Sequence, residues 1–147
     1  MYSVKRIGTG EKESVKALFA DVFTREPWND DWSDGEQLDL YIEDLTGQGN
    51  SLTFGLYEDS ALIGISMGYT KHWFRGTEYV IEEFCVRTEC QGKGAGSAFL
   101  SGIEQAIREM GLKHIFLLTD STVPAYGFYK KNGYTELKTH AAFAKTL

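Results

Sequence analysis

The stretch TEYVIEEFCV, Thr77 to Val86, is an apolar run of strand character, and it soon gives way to QGKGAGSAFL, Gln91 to Leu100. Three glycines, Gly92, Gly94 and Gly96, alternate just before a helical pattern. Phe99, Leu100, Ile103, Ile107 and Met110 recur on one face of that helix, and Gly111 closes it. Glycine is the poorest helix former after proline. Its repeated use here points to something approaching the main chain more closely than a Cβ would allow. A strand, a glycine-rich turn and a helix N-terminus together make an anion site, because unpaired N–H groups converge at the positive end of the helix dipole. A turn alone would use one glycine or two; three around a lysine exceed that need.

Around this unit the periodicity alternates between strand and helix. Tyr2–Ile7 reads as a short strand, and Val15, Leu18, Phe19, Val22 and Phe23 then fall at helical spacing. Ser33-Asp34-Gly35-Glu36 fits a capping box opening a second helix, on which Leu38, Tyr41, Ile42 and Leu45 repeat. SLTFGLYE and ALIGISMGYTKHW read as two strands joined by a tight turn at Asp59-Ser60. HIFLLT is continuously apolar, the pattern of a strand buried on both faces. Pro124 opens a last helix through Lys131, ended by Asn132-Gly133. The remaining YTELKTHAAFAKTL is expected to supply one or two closing strands. No repeat or linker interrupts the chain, so residues 1–147 are expected to form one α/β domain.

Composition narrows the partners. The chain has 147 residues, 42% of them hydrophobic and only 2 prolines, which suits one packed core and not disorder. A net charge of −6 argues against nucleic acid or an anionic membrane surface as the main partner. No apolar run approaches the roughly 20 residues of a membrane span, and the N-terminal residues show no signal-peptide core. Cys85 and Cys90 are too few and too close for a disulfide framework. His72, His114 and His140 are scattered, so no metal is expected. A soluble protein of a reducing compartment, the cytoplasm, is the expectation.

The glycine loop is neither of two familiar nucleotide loops. A Walker A motif needs Ser or Thr directly after its lysine, and Lys93 is followed by Gly94. A dinucleotide fingerprint needs glycine at the sixth position, which counted from Gly92 is Ser97, and it belongs to a first strand–helix unit. Gln91-Gly92-Lys93-Gly94-Ala95-Gly96 does match Q/R-x-x-G-x-G/A, and here the sequence resembles the GNAT N-acetyltransferase superfamily, whose signature for acyl-CoA this is. The resemblance covers the whole chain: the element order fits, FCV precedes the signature, and AYGFYKKNGY, Ala125 to Tyr134, is similar to the second hallmark.

That resemblance implies one GNAT-like α/β domain. Its central mixed sheet would have about six or seven strands, helices on both faces, and a splay between the fourth and fifth strands. It implies acetyl-CoA as cosubstrate, its pyrophosphate held by N–H groups of Gln91, Gly92, Lys93, Gly94, Ala95, Gly96 and Ser97. The backbone of Phe84, Cys85 and Val86 would meet pantetheine and the thioester, while their side chains stay in the core. Where many relatives have Asn, Thr122 offers a hydroxyl with fewer hydrogen-bonding groups. Tyr126 is expected to line the CoA path or to compete with Tyr129. Relatives often pair as dimers, and nothing in the sequence shows whether this chain does.

Acetyl transfer to an amine needs the amine neutral and is helped by protonating the leaving thiolate. Tyr129, placed like the family's phenolic acid, is the expected acid; its alternative is packing, the role of neighbouring Phe128. Glu82 and Glu83 are adjacent on a core strand, which points them to opposite faces and makes both costly unless one meets a cavity. Some amine-acetylating relatives carry a carboxylate where Glu82 stands, so Glu82 is the expected base and Glu83 an anchor beside the substrate. Two solvated edge charges are the plain alternative.

From Glu26 to Asp44 the sequence holds eight carboxylates and no Lys or Arg. Such a run is often a solvated face, yet Trp28 and Trp32 lie within it and can pack against a cation. Trp28, Asp30 and Asp31 are therefore expected to bind a cationic amine, with aminoglycoside-modifying members the nearest resemblance. An amine on a protein, or a non-catalytic acyl-CoA-binding module, are the alternatives.

Overall fold

The computed structural model describes residues 1–147. Strand β1 (Tyr2–Arg6) leads to helix α1 (Lys12–Phe23), and helix α2 (Gly35–Thr46) follows across a loop. Strands β2 (Ser51–Glu58), β3 (Ala61–Trp73) and β4 (Gly76–Val86) come next, then helix α3 (Ala95–Glu109), strand β5 (His114–Leu117) and helix α4 (Pro124–Lys131). The first four strands form an antiparallel meander, and β5 joins β4 in parallel, in the order β1-β2-β3-β4-β5. Helix α3 is the crossover that a parallel neighbour requires.

Helix α2 starts on Asp34, not on Ser33. The Asp34 carboxylate accepts the N–H groups of Glu36 and Gln37, both at 3.1 Å. An aspartate cap satisfies the orphan donors as the expected serine box would, one residue later. Helices α1 and α2 cover one face of the sheet, where Leu18, Phe19 and Ile42 pack on Ile65, Met67 and Cys85. Helix α3 covers the other, with Phe99 and Ile103 against Phe54, Leu56 and Tyr79. Each such side chain removed from water contributes about 1.5–3 kcal/mol, so these two layers fix the scaffold.

Two irregularities in the sheet shape the site. Between β3 and β4, Met67 pairs with Glu83 but Gly68 pairs with Ile81, which leaves Glu82 as the extra residue of a bulge. A bulge reverses the alternation of faces. Tyr79 and Ile81 point to the α3 side, and so do Phe84 and Val86, while Cys85 packs on the α1–α2 side. Glu83 shares the α1–α2 side and reaches Tyr41 of α2. The second irregularity is a splay: β4 and β5 pair only from Glu78↔His114 to Ile81↔Leu117. Beyond Ile81, β4 continues to Val86 with β3 as its one neighbour.

The sheet has five strands, not six or seven. The segment after α4, expected to close it, forms no strand. Strand β5, expected to be buried on both faces, is only partly covered, and Leu118 beyond it is 72% exposed. The two corrections share a cause, since an edge strand lacks the neighbour that would bury it. No helix is long and apolar enough to cross a membrane.

Candidate active site

The glycine loop turns on two left-handed residues, Gly92 at φ +76° and Gly94 at φ +82°. A Cβ at either would meet no protein atom within 4 Å, so backbone conformation, not crowding by protein, requires glycine there. Gly94 is the N-cap of α3, and no side chain caps that helix. The first helical bond runs from Ala98 N–H to the Gly94 carbonyl at 3.0 Å. The amides of Ala95, Gly96 and Ser97 therefore head the helix without intrahelical acceptors, at its positive end. Gln91 acts through its side chain, whose Nε2 donates to the Val86 carbonyl at 2.9 Å and ties the loop to the end of β4. Lys93 is exposed beside it.

Gly96 answers a packing need. A Cβ there would lie 3.0 Å from the ring of Phe128, which stacks on Phe84 at 5.9 Å. One close approach inferred from the glycines is thus made by a side chain of α4. Phe84 in turn stacks on Phe99 at 5.1 Å and meets Tyr129 edge-on at 6.2 Å, so α4 is set against the open part of β4 by aromatic contacts.

A cavity of about 320 Å³ opens at the splay. Strand β4 lends it Glu82, Glu83 and Phe84, the loop after α1 lends Trp28 and Asp30, and α4 lends Tyr129. Six of the residues singled out in the sequence therefore meet in one place. Others lie elsewhere. Asp31 is exposed and accepts the Ser33 N–H at 3.0 Å, and hydrogen bonding from Ser33 holds its carboxyl below the usual range. Thr122 gives its hydroxyl to Asp120 at 2.6 Å, within the turn that precedes α4. Tyr126 donates to Glu136 at 2.6 Å beneath Lys130, so its hydroxyl does not share Tyr129's surroundings. Cys85 and Val86 are buried, and burial pushes the Cys85 thiol up, which leaves main-chain groups as what they can offer a ligand.

The bulge gives the two glutamates different environments. Glu82 is exposed, whereas Glu83 is half-buried. Burial pushes the Glu83 carboxyl up to about 7; the Tyr41 hydroxyl opposes this, and the charges of Asp30 and Glu82 add to it. Tyr41 donates to Glu83 Oε1 at 3.0 Å. The Tyr129 phenol is raised by burial first, then by Cys85 and Glu83, so it keeps its proton at neutral pH. Periodicity marks Tyr41 only as a core position of α2. The available signal is its hydroxyl, since a buried tyrosine usually finds a polar partner. Trp32 stacks on Tyr41 at 5.1 Å and meets Phe19 edge-on at 5.5 Å. With its Nε1 enclosed and unpartnered, Trp32 supports Tyr41, and Trp28 alone of the pair lines the cavity.

The backbone superposes on several solved structures. An aminoglycoside acetyltransferase, meta-AAC0020, from an uncultured soil metagenomic sample in complex with sisomicin, matches with a TM-score of 0.76 at 20% identity, over 99% of this chain and 96% of that one. AAC(6')-Iy in complex with a bisubstrate analogue, CoA-S-monomethyl-acetylneamine, matches at 0.74 with 12% identity, over 100% and 99%. An integron cassette protein from the mobile metagenome of V. cholerae matches at 0.79 with 13% identity, over 99% and 92%. At such identities the likeness is one of fold. A search of curated protein sequences found no match. A family model, described as acetyltransferase (GNAT) family, matches residues 14–134, the span that contains the splayed strand, the glycine loop and α4. The chain belongs to the GNAT acetyltransferase family and is an acyltransferase.

Proposed function

We propose that the protein transfers the acetyl group of acetyl-CoA to a primary amine of a cationic small molecule, by direct attack in a ternary complex. The observation that carries the reading is the cavity at the splay. There a carboxylate of near-neutral pKa, a protonated phenol and an acidic, tryptophan-lined wall adjoin the unpaired edge of β4. The family uses acetyl-CoA, and the residues present suit it. The amides heading α3 would hold the pyrophosphate, with Gly92 and Gly94 shaping the loop. Main-chain groups of Phe84, Cys85 and Val86 would meet the extended arm as a neighbouring strand would. Bound there, acetyl-CoA supplies an activated acyl group.

The protein's own part is proton management and placement. Glu83 accepts a proton from the acceptor ammonium, directly or through water, since a base near neutrality combines ionisation with proton affinity. The environment favours Glu83 over Glu82 for this role, although the family resemblance points to Glu82. Glu82, Asp30 and the Trp28 face hold the rest of the cation. As the new C–N bond forms and the C–S bond breaks, Tyr129 gives its proton to the departing thiolate, and the second proton shed by the acylated nitrogen restores the phenol. The aminoglycoside acetyltransferases among the structural neighbours support a polyamine-like acceptor.

The test is a panel assay of CoA release with aminoglycosides, polyamines, amino acids and peptides. Turnover is expected with multiply charged amines, abolished by Glu83→Gln and retained in reduced form by Glu82→Gln. Preference for an anionic or hydroxyl acceptor would reject the cationic-amine reading, and the opposite mutant pattern would return the base to Glu82.

A further inference from the structure

We propose that the acceptor is an amphipathic amine, whose charged end fills the cavity at the splay and whose apolar body lies in a second hollow on the open face of β3, β4 and β5. The inference rests on the reading of the first cavity as an acceptor site. It starts from a stretch of sheet outside the layer packed under the helices. On β3, Ile65 and Met67 belong to the layer under α1 and α2, whereas Tyr69 and Lys71, next on the same face, do not. Tyr69 pairs with Val80, and Val80 with Phe116, so one row of side chains crosses the three strands. A hollow of about 240 Å³ opens over this row.

The lining of the hollow defines the ligand. Val80, Phe116 and Leu118 make it apolar, and Leu118 is 72% exposed at its rim. Such a surface gains by taking up an apolar group in place of water. The hollow is continuous with the first cavity, because Ile81, Glu82, Leu117 and Leu118 line both. Glu82 therefore stands at the junction, where it can hold a second ammonium. Burial first, then the charges of Glu82 and Glu78, push the Tyr69 phenol up, so it remains a donor at neutral pH. At the far end Lys71, 3.9 Å from Glu78 Oε1, disfavours a further cation. Positive charge on the ligand is thereby confined to the first cavity and the junction.

The register fixes how the two parts of the ligand are spaced. Met67 pairs with Glu83, and Tyr69 and Lys71 follow two and four residues further along β3. At roughly 3.3 Å per residue, the apolar row lies about 7 Å from Glu83 and Lys71 about 13 Å. The charged end must be short, and the apolar body must begin directly behind it.

The probes are putrescine and its N-butyl, N-hexyl and N-benzyl derivatives, followed by CoA release and by calorimetry. kcat/KM should rise by about fourfold per buried methylene until the tail reaches Lys71, and then level off. Phe116→Ala, which lies outside the first cavity, should leave putrescine unchanged and cut the advantage of the N-hexyl derivative about tenfold. Leu118→Ser, at an exposed position, should shift the same ratio in the same direction, and thermal melts verify that both variants fold. A flat series in an enzyme that turns over putrescine would overturn the proposal and leave the amine reading intact. A tail advantage that survives both substitutions would also overturn it, because the tail would then lie elsewhere. Tailed alcohols that outrun the tailed amines with the same slope would support the hollow and reject the amine reading. With no amine turned over, calorimetry reads the slope as affinity, and a flat series there overturns the proposal.

Discussion

Removing one oxygen atom from α2 should move the pH dependence of the enzyme. Tyr41 donates to Glu83 Oε1 at 3.0 Å, and this bond opposes the upward push of burial that holds the carboxyl at about 7. Tyr41→Phe deletes the donor and keeps the ring, which is stacked on Trp32 at 5.1 Å with 19° between planes. A hydrogen bond to a charged group contributes about 1.5–3 kcal/mol, and one pKa unit corresponds to about 1.4 kcal/mol. Losing it should raise the Glu83 pKa by about one to two units. The direction is unambiguous, since the bond favours the ionised carboxylate.

At a pH equal to the original pKa half the enzyme carries the base; after a rise of one to two units only about a tenth to a hundredth does. Activity near neutrality should therefore fall about 5- to 50-fold and recover as pH rises, with the alkaline plateau close to wild type. The assay is kcat/KM against pH by CoA release, run with two acceptors of different amine pKa. A limb that belongs to Glu83 stays in place between acceptors and moves with the mutation. Profiles that superimpose for Tyr41→Phe and wild type would refute the reasoning. A uniform loss at every pH would also do so, by showing that Tyr41 merely supports the fold.

Four further outcomes can be measured. Tyr129→Phe should lower kcat by about 10- to 10⁴-fold with acetyl-CoA affinity nearly unchanged, as calorimetry and steady-state kinetics would show. Gly94→Val forces a β-branched residue to φ +82°, a strain of about 1–2 kcal/mol that should lower the melting temperature by several degrees without unfolding the domain, and should weaken acetyl-CoA binding about tenfold. Asp30→Asn should remove much of the salt dependence of KM for a cationic acceptor, since exposed charges are screened over about 8 Å at physiological ionic strength, and KM for acetyl-CoA should respond less. Glu83→Gln should raise thermal stability at alkaline pH and have little effect below the ordinary carboxyl pKa of 4.5. The folded state keeps this proton up to about 7, so its contribution to stability is lost as pH rises between those values.

What the sequence disclosed and what it concealed divide along physical lines. Long segments fixed their own identity: β3 and β4 carry extended buried runs of strand-forming residues, and the apolar stripe of α3 runs from Phe99 to Ile107. The left-handed turns at Gly92 and Gly94 were legible because glycine has few other reasons to recur there. Contacts between distant elements were not legible. Gly96 shows the same letter as its neighbours, yet it makes room for Phe128, a residue of another helix. Trp32 looks like a partner of Trp28, but packing carries it under Tyr41.

The pair Glu82-Glu83 shows why the base could not be assigned from spacing alone. Alternation predicts opposite faces for any two adjacent strand residues, but the bulge at Glu82 breaks it here, and both glutamates line one cavity. Which face each receives depends on the register against β3, and that register slips between Met67 and Gly68. A Cβ on Gly68 would collide with the Val80 carbonyl oxygen, so this glycine permits the close approach at the slip. The residue that helps decide whether Glu83 faces Tyr41 is therefore on another strand, and it touches neither glutamate's function directly. Without the bulge, the Tyr79–Ile81 parity would continue through Glu83 toward α3. The carboxylate with the near-neutral pKa owes its environment to one inserted residue, Glu82, so the two glutamates are coupled by backbone geometry as well as by charge.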